Sequence, residues 1–379
     1  MRVAINGLFW DRPATGSGQY VRALVAALAC MEGIDPLLVD GDPLEAPPPP
    51  GVELWRCGRS AAGNLSKLWF EQVGFPHACR RSGCVVAHVP YFAPPLACPV
   101  PLVVTIHDLI PMLLPEYRGG LHVRAYMALA ASAARRATLV VADSTATAQD
   151  IERHLGISPE RVRVVHLAAG DAYRPMPIDL VAALRHRLGL PERYLLYLGG
   201  FDRRKRVPEL LRAFHKVVPR LGGTGLVVAG RLPDRDSAFA PDPRRVAHEL
   251  AMGDRVRFLG HVDEADKPAL YAGAEALVFP SVYEGFGLPP LEALSCGTPV
   301  IATQSSSLPE VVGDAGILVP PDDVGALAEA IYALMDDSAL RRQLAGRALV
   351  QANRFSWERT AEKTAAIYRE AVARGHSQG

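Results

Sequence analysis

The 379-residue sequence has no uninterrupted apolar run long enough to cross a bilayer. Its most apolar helical stretch, AYMALAASAARRATLVVA from Ala125, is cut by Arg135 and Arg136, whereas a span needs about 20 apolar residues. An excess of one charge is also missing. The formal net charge is +1, so no overall field draws in nucleic acid or an acidic partner. Cysteine is sparse, with six residues at 30, 57, 79, 84, 98 and 296 and no CxxC pair. That argues against a zinc ribbon or a disulfide scaffold and suits a reducing compartment. No repeat of solenoid period occurs. No basic-then-apolar leader opens the chain; MRVAING enters a strand at once, and the expectation is a cytoplasmic protein.

What is present is a globular composition, 49% hydrophobic and 21% charged, on a chain long enough for two domains. Short apolar runs alternate with helical patterns. In the first half the strand runs are 2–6, 36–40, 84–89, 102–107, 138–143 and 161–167, with helices near 17–31, 65–81, 121–136 and 144–155. In the second half they are 194–199, 225–230, 255–260, 275–280, 298–303 and 316–320. Helices follow near 205–219, 243–252, 264–273, 290–296, 322–335 and 338–352, and a last amphipathic one covers 355–372. Apolar strands alternating with helices predict parallel sheets covered on both faces. The fold class is therefore α/β, two Rossmann-like domains with parallel sheets facing across a central cleft. They are placed at 1–175 and 190–354, with a proline-bearing hinge at 171–180. The proline-rich loop DPLEAPPPPG, 42–51, carries no assigned role.

In such sheets ligands lie beyond the carboxyl ends of the strands. After the strand ending at Gly199 and Gly200 comes FDRRKRVPELL, with Arg203, Arg204, Lys205 and Arg206 opening a helix. Cations at a helix start oppose the macrodipole, which favours negative charge there. An anion neutralising them is the sharper explanation; a solvated basic face leaning on Glu209 is the plainer one. Arg204 and Lys205 are the candidates for a diphosphate. The segment PSVYEGFGLPPLEAL, from Pro280, places Glu284 and Glu292 eight positions apart around Gly285, Phe286 and Gly287. The glycines free backbone N–H groups to form an anion nest, and Pro289-Pro290 starts a helix. Glu284 then sits at the level of a sugar on that diphosphate, and Glu292 at the level of a ribose diol. Alone, the first is a turn residue and the second a helix-start acid; their joint spacing is the signal.

In the first half, Gly16-Ser17-Gly18 opens a helix, and His107-Asp108 follows a strand on the presumed cleft side, with His88 a weaker site of the same kind. Two D-x-D strings, Asp40/Asp42 and Asp234/Asp236, adjoin none of these residues, and no metal site is assigned.

EGFGLPPLEAL, LGGFDRRKRVPELLRAF and TIHDL together resemble the retaining family-4 glycosyltransferases of GT-B fold, in the expected order over nearly the whole chain. The resemblance implies that Glu284 touches the donor sugar, Glu292 the ribose, and Arg204 and Lys205 the diphosphate. Backbone of Phe286, Gly287 and Leu288, with Gly16 and Gly18, would assist, and Gly200 and Val262 would line the nucleotide. His107 would lie near the transferred sugar and acceptor, and the 355–375 helix would pack back on the first domain. It implies a nucleotide-sugar co-substrate with no metal or other cofactor. GSGQYVRAL and HDLIPMLLPEYR are similar to bacterial mannosyl- and rhamnosyltransferases of polysaccharide assembly, which suggests GDP-mannose as donor and a glycan or lipid-linked acceptor. Many members carry a glycine pair where Ser17 stands here. Helix 121–136, with Arg118, His122, Arg124, Arg135 and Arg136 around an alanine-rich face, reads first as a surface helix packing on the sheet; the alternative is a peripheral contact with the inner membrane face. Two other readings stay open: an NAD-dependent oxidoreductase built on Gly16–Gly18 and Asp40, and a non-catalytic nucleotide-sugar-binding protein.

Overall fold

The computed structural model describes residues 1–42, 44–58 and 63–376. Pro43 of the proline-rich loop lies outside them. The chain divides into unit 1, Met1–Leu167 with Ser356 onward, and unit 2, Ala168–Phe355.

Unit 1 is built on a 7-stranded sheet in the order β3-β2-β1-β4-β5-β6-β7. Its strands are β1 Arg2–Asn6, β2 Asp35–Asp40, β3 Glu53–Arg56, β4 Val86–Val89, β5 Leu102–Ile106, β6 Leu139–Ala142 and β7 Val162–Val164. Unit 2 has a 6-stranded sheet ordered β10-β9-β8-β11-β12-β13. These are β8 Tyr194–Leu198, β9 Gly225–Ala229, β10 Val256–Gly260, β11 Ala276–Phe279, β12 Val300–Thr303 and β13 Gly316–Val319. Every pairing in both sheets is parallel. Strand order reverses direction between β1 and β4 and again between β8 and β11. A crevice opens at the carboxyl side of such a switch point, because the flanking crossovers leave to opposite faces.

The strands were readable because Val, Ile and Leu fill both faces of the central ones; β6 and β11 are buried at every residue. β3 was not anticipated. ELWR is short, follows four prolines and is an edge strand with an exposed-to-intermediate pattern, so it lacks the apolar run that marked the others. The proposed hinge also differs. The units part between Leu167 and Ala168, and 171–180 belongs to unit 2, running into a helix at Ile178–Leu188. That helix buries Val181 and Leu184, three apart on one face, and starts right after Pro177. The C-terminal helix Trp357–His376 belongs to unit 1. There Glu370 pairs with Arg163 at 2.5 Å, and Thr360 Oγ1 donates to the His166 carbonyl at 2.8 Å. No helix among the described residues is long and apolar enough to cross a membrane.

One glycine explains how the switch-point end of unit 2 can close. Gly230, just past β9, has φ +135°, and a Cβ there would stand 2.0 Å from the Gly199 carbonyl oxygen. Backbone cannot retreat cheaply, so Gly230→Ala is expected to lower the stability of unit 2 by about 3 kcal/mol. Gly346 is the control: it lies mid-helix with nothing within 4 Å of its would-be Cβ. Gly346→Ala should raise stability by about 0.5 kcal/mol. Urea unfolding of both variants checks the pair, and equal midpoints would contradict the contact.

Candidate active site

The crevice of unit 2 gathers the predicted cations around one carboxylate. Asp202 leads into a 3-10 turn, Arg203–Lys205, and Arg206 then takes a left-handed conformation, φ 54°, before the helix Val207–Val217. The four cations therefore precede the helix instead of lying in its first turn. Their side chains part company. Arg203 is exposed, and Arg206 pairs with Asp322 at 2.6 Å. Arg204 and Lys205 turn inward and converge on Glu284 Oε1, at 2.7 and 2.5 Å. Arg204 also reaches Asp202 at 3.2 Å and donates to the Tyr283 carbonyl at 2.8 Å. The Lys205 ammonium lies 4.7 Å from the Phe279 ring centroid.

All three side chains are largely withdrawn from water, at 14%, 9% and 11% exposure. Burial pushes the Glu284 carboxyl up, but Lys205 and Arg204 together outweigh it and hold it below the ordinary range. Burial, with Arg204 alongside, pulls Lys205 down, and Glu284 opposes that pull. The carboxylate thus keeps two cations ionised and aligned in a low-dielectric site, where a lone charge would be costly.

The loop that carries Glu284 is clamped by three consecutive serines that the sequence analysis passed over. Ser305 donates to the Val282 carbonyl at 2.5 Å, and Ser306 Oγ accepts from Glu284 N–H at 2.8 Å. Ser307 donates to the Glu284 and Phe286 carbonyls at 3.0 and 2.6 Å. They follow β12, the neighbour of β11, so a run of small hydroxyls just past an adjacent strand was the available signal. Phe286 itself is buried against Phe355, with ring centroids 5.8 Å apart.

Gly287, φ +114°, begins the helix Leu288–Ser295. This moves two expectations. Pro289 and Pro290 lie inside the helix and have no N–H, so the amides this end can turn to an anion are those up to Leu288. Glu292 sits in the second turn, not the first, and is 8% exposed. Tyr271 donates to its Oε2 at 2.8 Å, and Tyr173 lies beside it. Burial pushes the Glu292 carboxyl up despite the two tyrosines. Gly200 follows β8 and accepts a hydrogen bond from Tyr197. Val262, after β10, is buried, while its neighbour His261 is exposed.

In unit 1, His107 follows β5 as expected. Its Nδ1 lies 2.6 Å from Asp143 Oδ2, and its Nε2 lies 3.2 Å from the Pro90 carbonyl oxygen. Both neighbours are acceptors, an arrangement that favours the doubly protonated ring. Burial would lower its pKa; Asp143, then Asp108 and the Pro90 carbonyl, outweigh that and raise it. Asp143 directly follows β6 and was not singled out from sequence, although strand ends adjacent in a parallel sheet are natural partners.

The glycine loop does less than expected. Thr15 caps the helix Gly16–Ala29, and its Oγ1 accepts from Gly18 N–H at 3.1 Å. A Cβ on Gly18 would stand 2.0 Å from the Arg12 carbonyl oxygen. Gly18 is thus required by its own turn, and its N–H is already committed; nothing presses on Gly16. Asp40, needed by the oxidoreductase reading, is 4% exposed and accepts from Asp42 N–H at 3.0 Å within its own loop. Among the described residues no three metal-ligating side chains gather into a site.

A family model described as Glycosyl transferases group 1 matches residues 184–349, and one described as Glycosyltransferase Family 4 matches residues 14–168. The chain is 34% identical over 269 residues to O-antigen chain mannosyltransferase B of Escherichia coli, covering 70% of each. It is 35% identical over 241 residues to the D-inositol 3-phosphate glycosyltransferase of Streptomyces bingchenggensis, covering 62% of this chain and 53% of that one. Sucrose-phosphate synthase of Thermosynechococcus elongatus is similar in structure, with a TM-score of 0.77 over 98% of this chain and 99% of that one, at 26% identity. With matches in both units and two parallel sheets of this topology, the chain belongs to the family 4 glycosyltransferases and is a hexosyltransferase of GT-B fold.

Proposed function

We propose that this glycosyltransferase moves mannose from GDP-mannose to a glycan or lipid-linked acceptor, with retention and without a metal. The observation that carries the reading is the convergence of Arg204 and Lys205 on Glu284 at the switch point of unit 2. The names of the mannosyltransferase relatives support the donor sugar.

Breaking the bond between the sugar C1 and the diphosphate oxygen leaves growing negative charge on the leaving group. Arg204 and Lys205 stabilise it, and because Glu284 has already aligned them, little reorganisation is needed at that moment. In this reading Glu284 also accepts from a donor-sugar hydroxyl, and Glu292 accepts from the ribose diol. The acceptor hydroxyl attacks C1 from the face the diphosphate leaves, and its proton passes to a leaving-phosphate oxygen, so the anomeric configuration is kept. His107, with both ring nitrogens engaged by Asp143 and the Pro90 carbonyl, serves the transferred sugar as a nearby positive charge, not as a hydrogen-bond donor or a base. The exposed start of the helix Leu121–Ala134 supplies a peripheral membrane contact, with Leu121 81% exposed beside Arg118, His122 and Arg124. Arg135 is outside that face, since its Nε donates to the Leu155 carbonyl at 2.7 Å.

Arg204→Ala and Lys205→Ala are each expected to cut transfer from GDP-mannose by about 100-fold or more, scored on folded protein. Wild-type rate should persist in EDTA, and the product should be the α-mannoside; loss of rate in EDTA or a β-product would overturn the corresponding part. Glu292 offers a trade-off. Its folded pKa lies above its unfolded value, so the native state binds more protons and loses stability as pH rises through that window. Glu292→Gln should therefore melt no lower than wild type at pH 7 while transfer falls about 10- to 100-fold.

The same linkage gives His107 a signature. Its raised pKa means that its stabilising charge is fully present below the ordinary imidazole value and fades as pH climbs past the folded one. The ratio of wild-type to His107→Gln rates should shrink with rising pH; a general base would make it grow. For the membrane, vesicles containing phosphatidylglycerol should retain the wild type but not an Arg118→Glu, Arg124→Glu double variant, and equal retention would dismiss the contact.

A further inference from the structure

Four polar side chains form an unbroken line through the core of unit 1. Tyr368 Oη lies 2.7 Å from His88 Nδ1, and His88 Nε2 lies 2.8 Å from Thr105 Oγ1. Thr105 Oγ1 in turn lies 3.1 Å from Tyr20 Oη. Three of the residues are wholly buried and Tyr20 is 2% exposed. Apolar side chains could fill this volume without needing partners, whereas a polar line is stable only when complete, and then it fixes one arrangement.

His88, expected just past a strand as a candidate ligand residue, lies within β4 instead, and both of its nitrogens are taken by the protein. Burial, reinforced by the charge on His107, pushes its pKa down to about 3. It therefore stays neutral, with one N–H to give and one lone pair to accept, as a link in a line must be. The far end of the line is the Tyr20 ring, which stands edge-on to the His107 imidazole, with centroids 4.9 Å apart and planes at 83°. Tyr20 also meets Trp357, at 6.2 Å. Trp357 and Tyr368 both come from the C-terminal helix. The groups facing His107 are Asp143 after β6, Asp108 and the Pro90 carbonyl from loops, His88 from β4 and Tyr20 from the first helix.

We propose that Tyr368, His88, Thr105 and Tyr20 are positioning residues that orient the His107 ring, so that the C-terminal helix completes the His107 site. The inference rests on the reading of His107 as part of the transfer machinery. Asp143 and Pro90 engage the two nitrogens of His107, and the Tyr20 ring, tethered through its hydroxyl, packs at right angles against the imidazole and limits its displacement from those acceptors.

The test uses the full chain with Thr105→Val, which cuts the line at its centre without changing shape, and Tyr368→Phe, which removes its last hydroxyl. Nitrogen-15 NMR of His107 reads the ring directly, and steady-state transfer from GDP-mannose reads its consequence. Both variants should lower the proton affinity of His107 by about threefold or more and kcat by about three- to tenfold, with the donor KM within about twofold. Thr105→Ser, which keeps the hydroxyl, should match wild type on both. An unchanged His107 titration in Thr105→Val and Tyr368→Phe would overturn the proposal, even if their melting temperatures fell. Because the titration needs no turnover, it still decides this point if GDP-mannose proves not to be the donor.

Discussion

Two cations held on one buried carboxylate organise the switch-point end of unit 2. Arg204 and Lys205 could not sit side by side in a nearly dry crevice without a counter-charge, and Glu284 supplies it from a different strand end. The arrangement links two distant pieces of chain, the turn after β8 and the loop after β11, and it does so where the strand order reverses. Removing Glu284 leaves two cations without their shared counter-charge, an event that costs about 3–5 kcal/mol in a buried setting. Fold stability therefore draws on the same contacts to which the proposed function assigns leaving-group stabilisation.

Around that cluster the sequence is shaped by close approach. Gly230 must be glycine because the Gly199 carbonyl passes beside it, and Gly18 because the Arg12 carbonyl does. The serines 305–307 hold the Glu284 loop by its backbone, which leaves the glutamate side chain to the cations. Unit 1 solves a similar problem with hydrogen bonds instead of ion pairs. Its histidine is biased toward the charged form because both ring nitrogens meet acceptors, and a line of buried hydroxyls and a neutral imidazole steadies the ring beside it.

Much of this was legible in the sequence because apolar strands in parallel sheets announce themselves, and because their carboxyl ends are the places to look. Arg204, Lys205, Glu284, Glu292 and His107 all fall there. What was illegible depends on which strands are neighbours. Asp143 meets His107 only because β5 and β6 adjoin, and the serines reach the Glu284 loop only because β11 and β12 do. Tyr271 reaches Glu292 from a helix that begins at Lys267, a side-chain contact with no local pattern. Helix starts were also off by about two residues: the left-handed Arg206 delays one helix, and Gly287 starts another before the proline pair. The glycines at 16 and 18 suggested a phosphate cradle, whereas the Gly18 N–H serves the Thr15 cap.

The most direct measurement compares nucleoside diphosphates with monophosphates. Calorimetric titration in EDTA, with GDP, UDP, ADP and dTDP each set against its monophosphate, isolates what the second phosphate contributes. The account predicts that the preferred diphosphate binds at least about tenfold tighter than its monophosphate, and that Lys205→Met removes most of that advantage. Equal affinities in the wild type, or a diphosphate preference that appears only when magnesium is added, would contradict it.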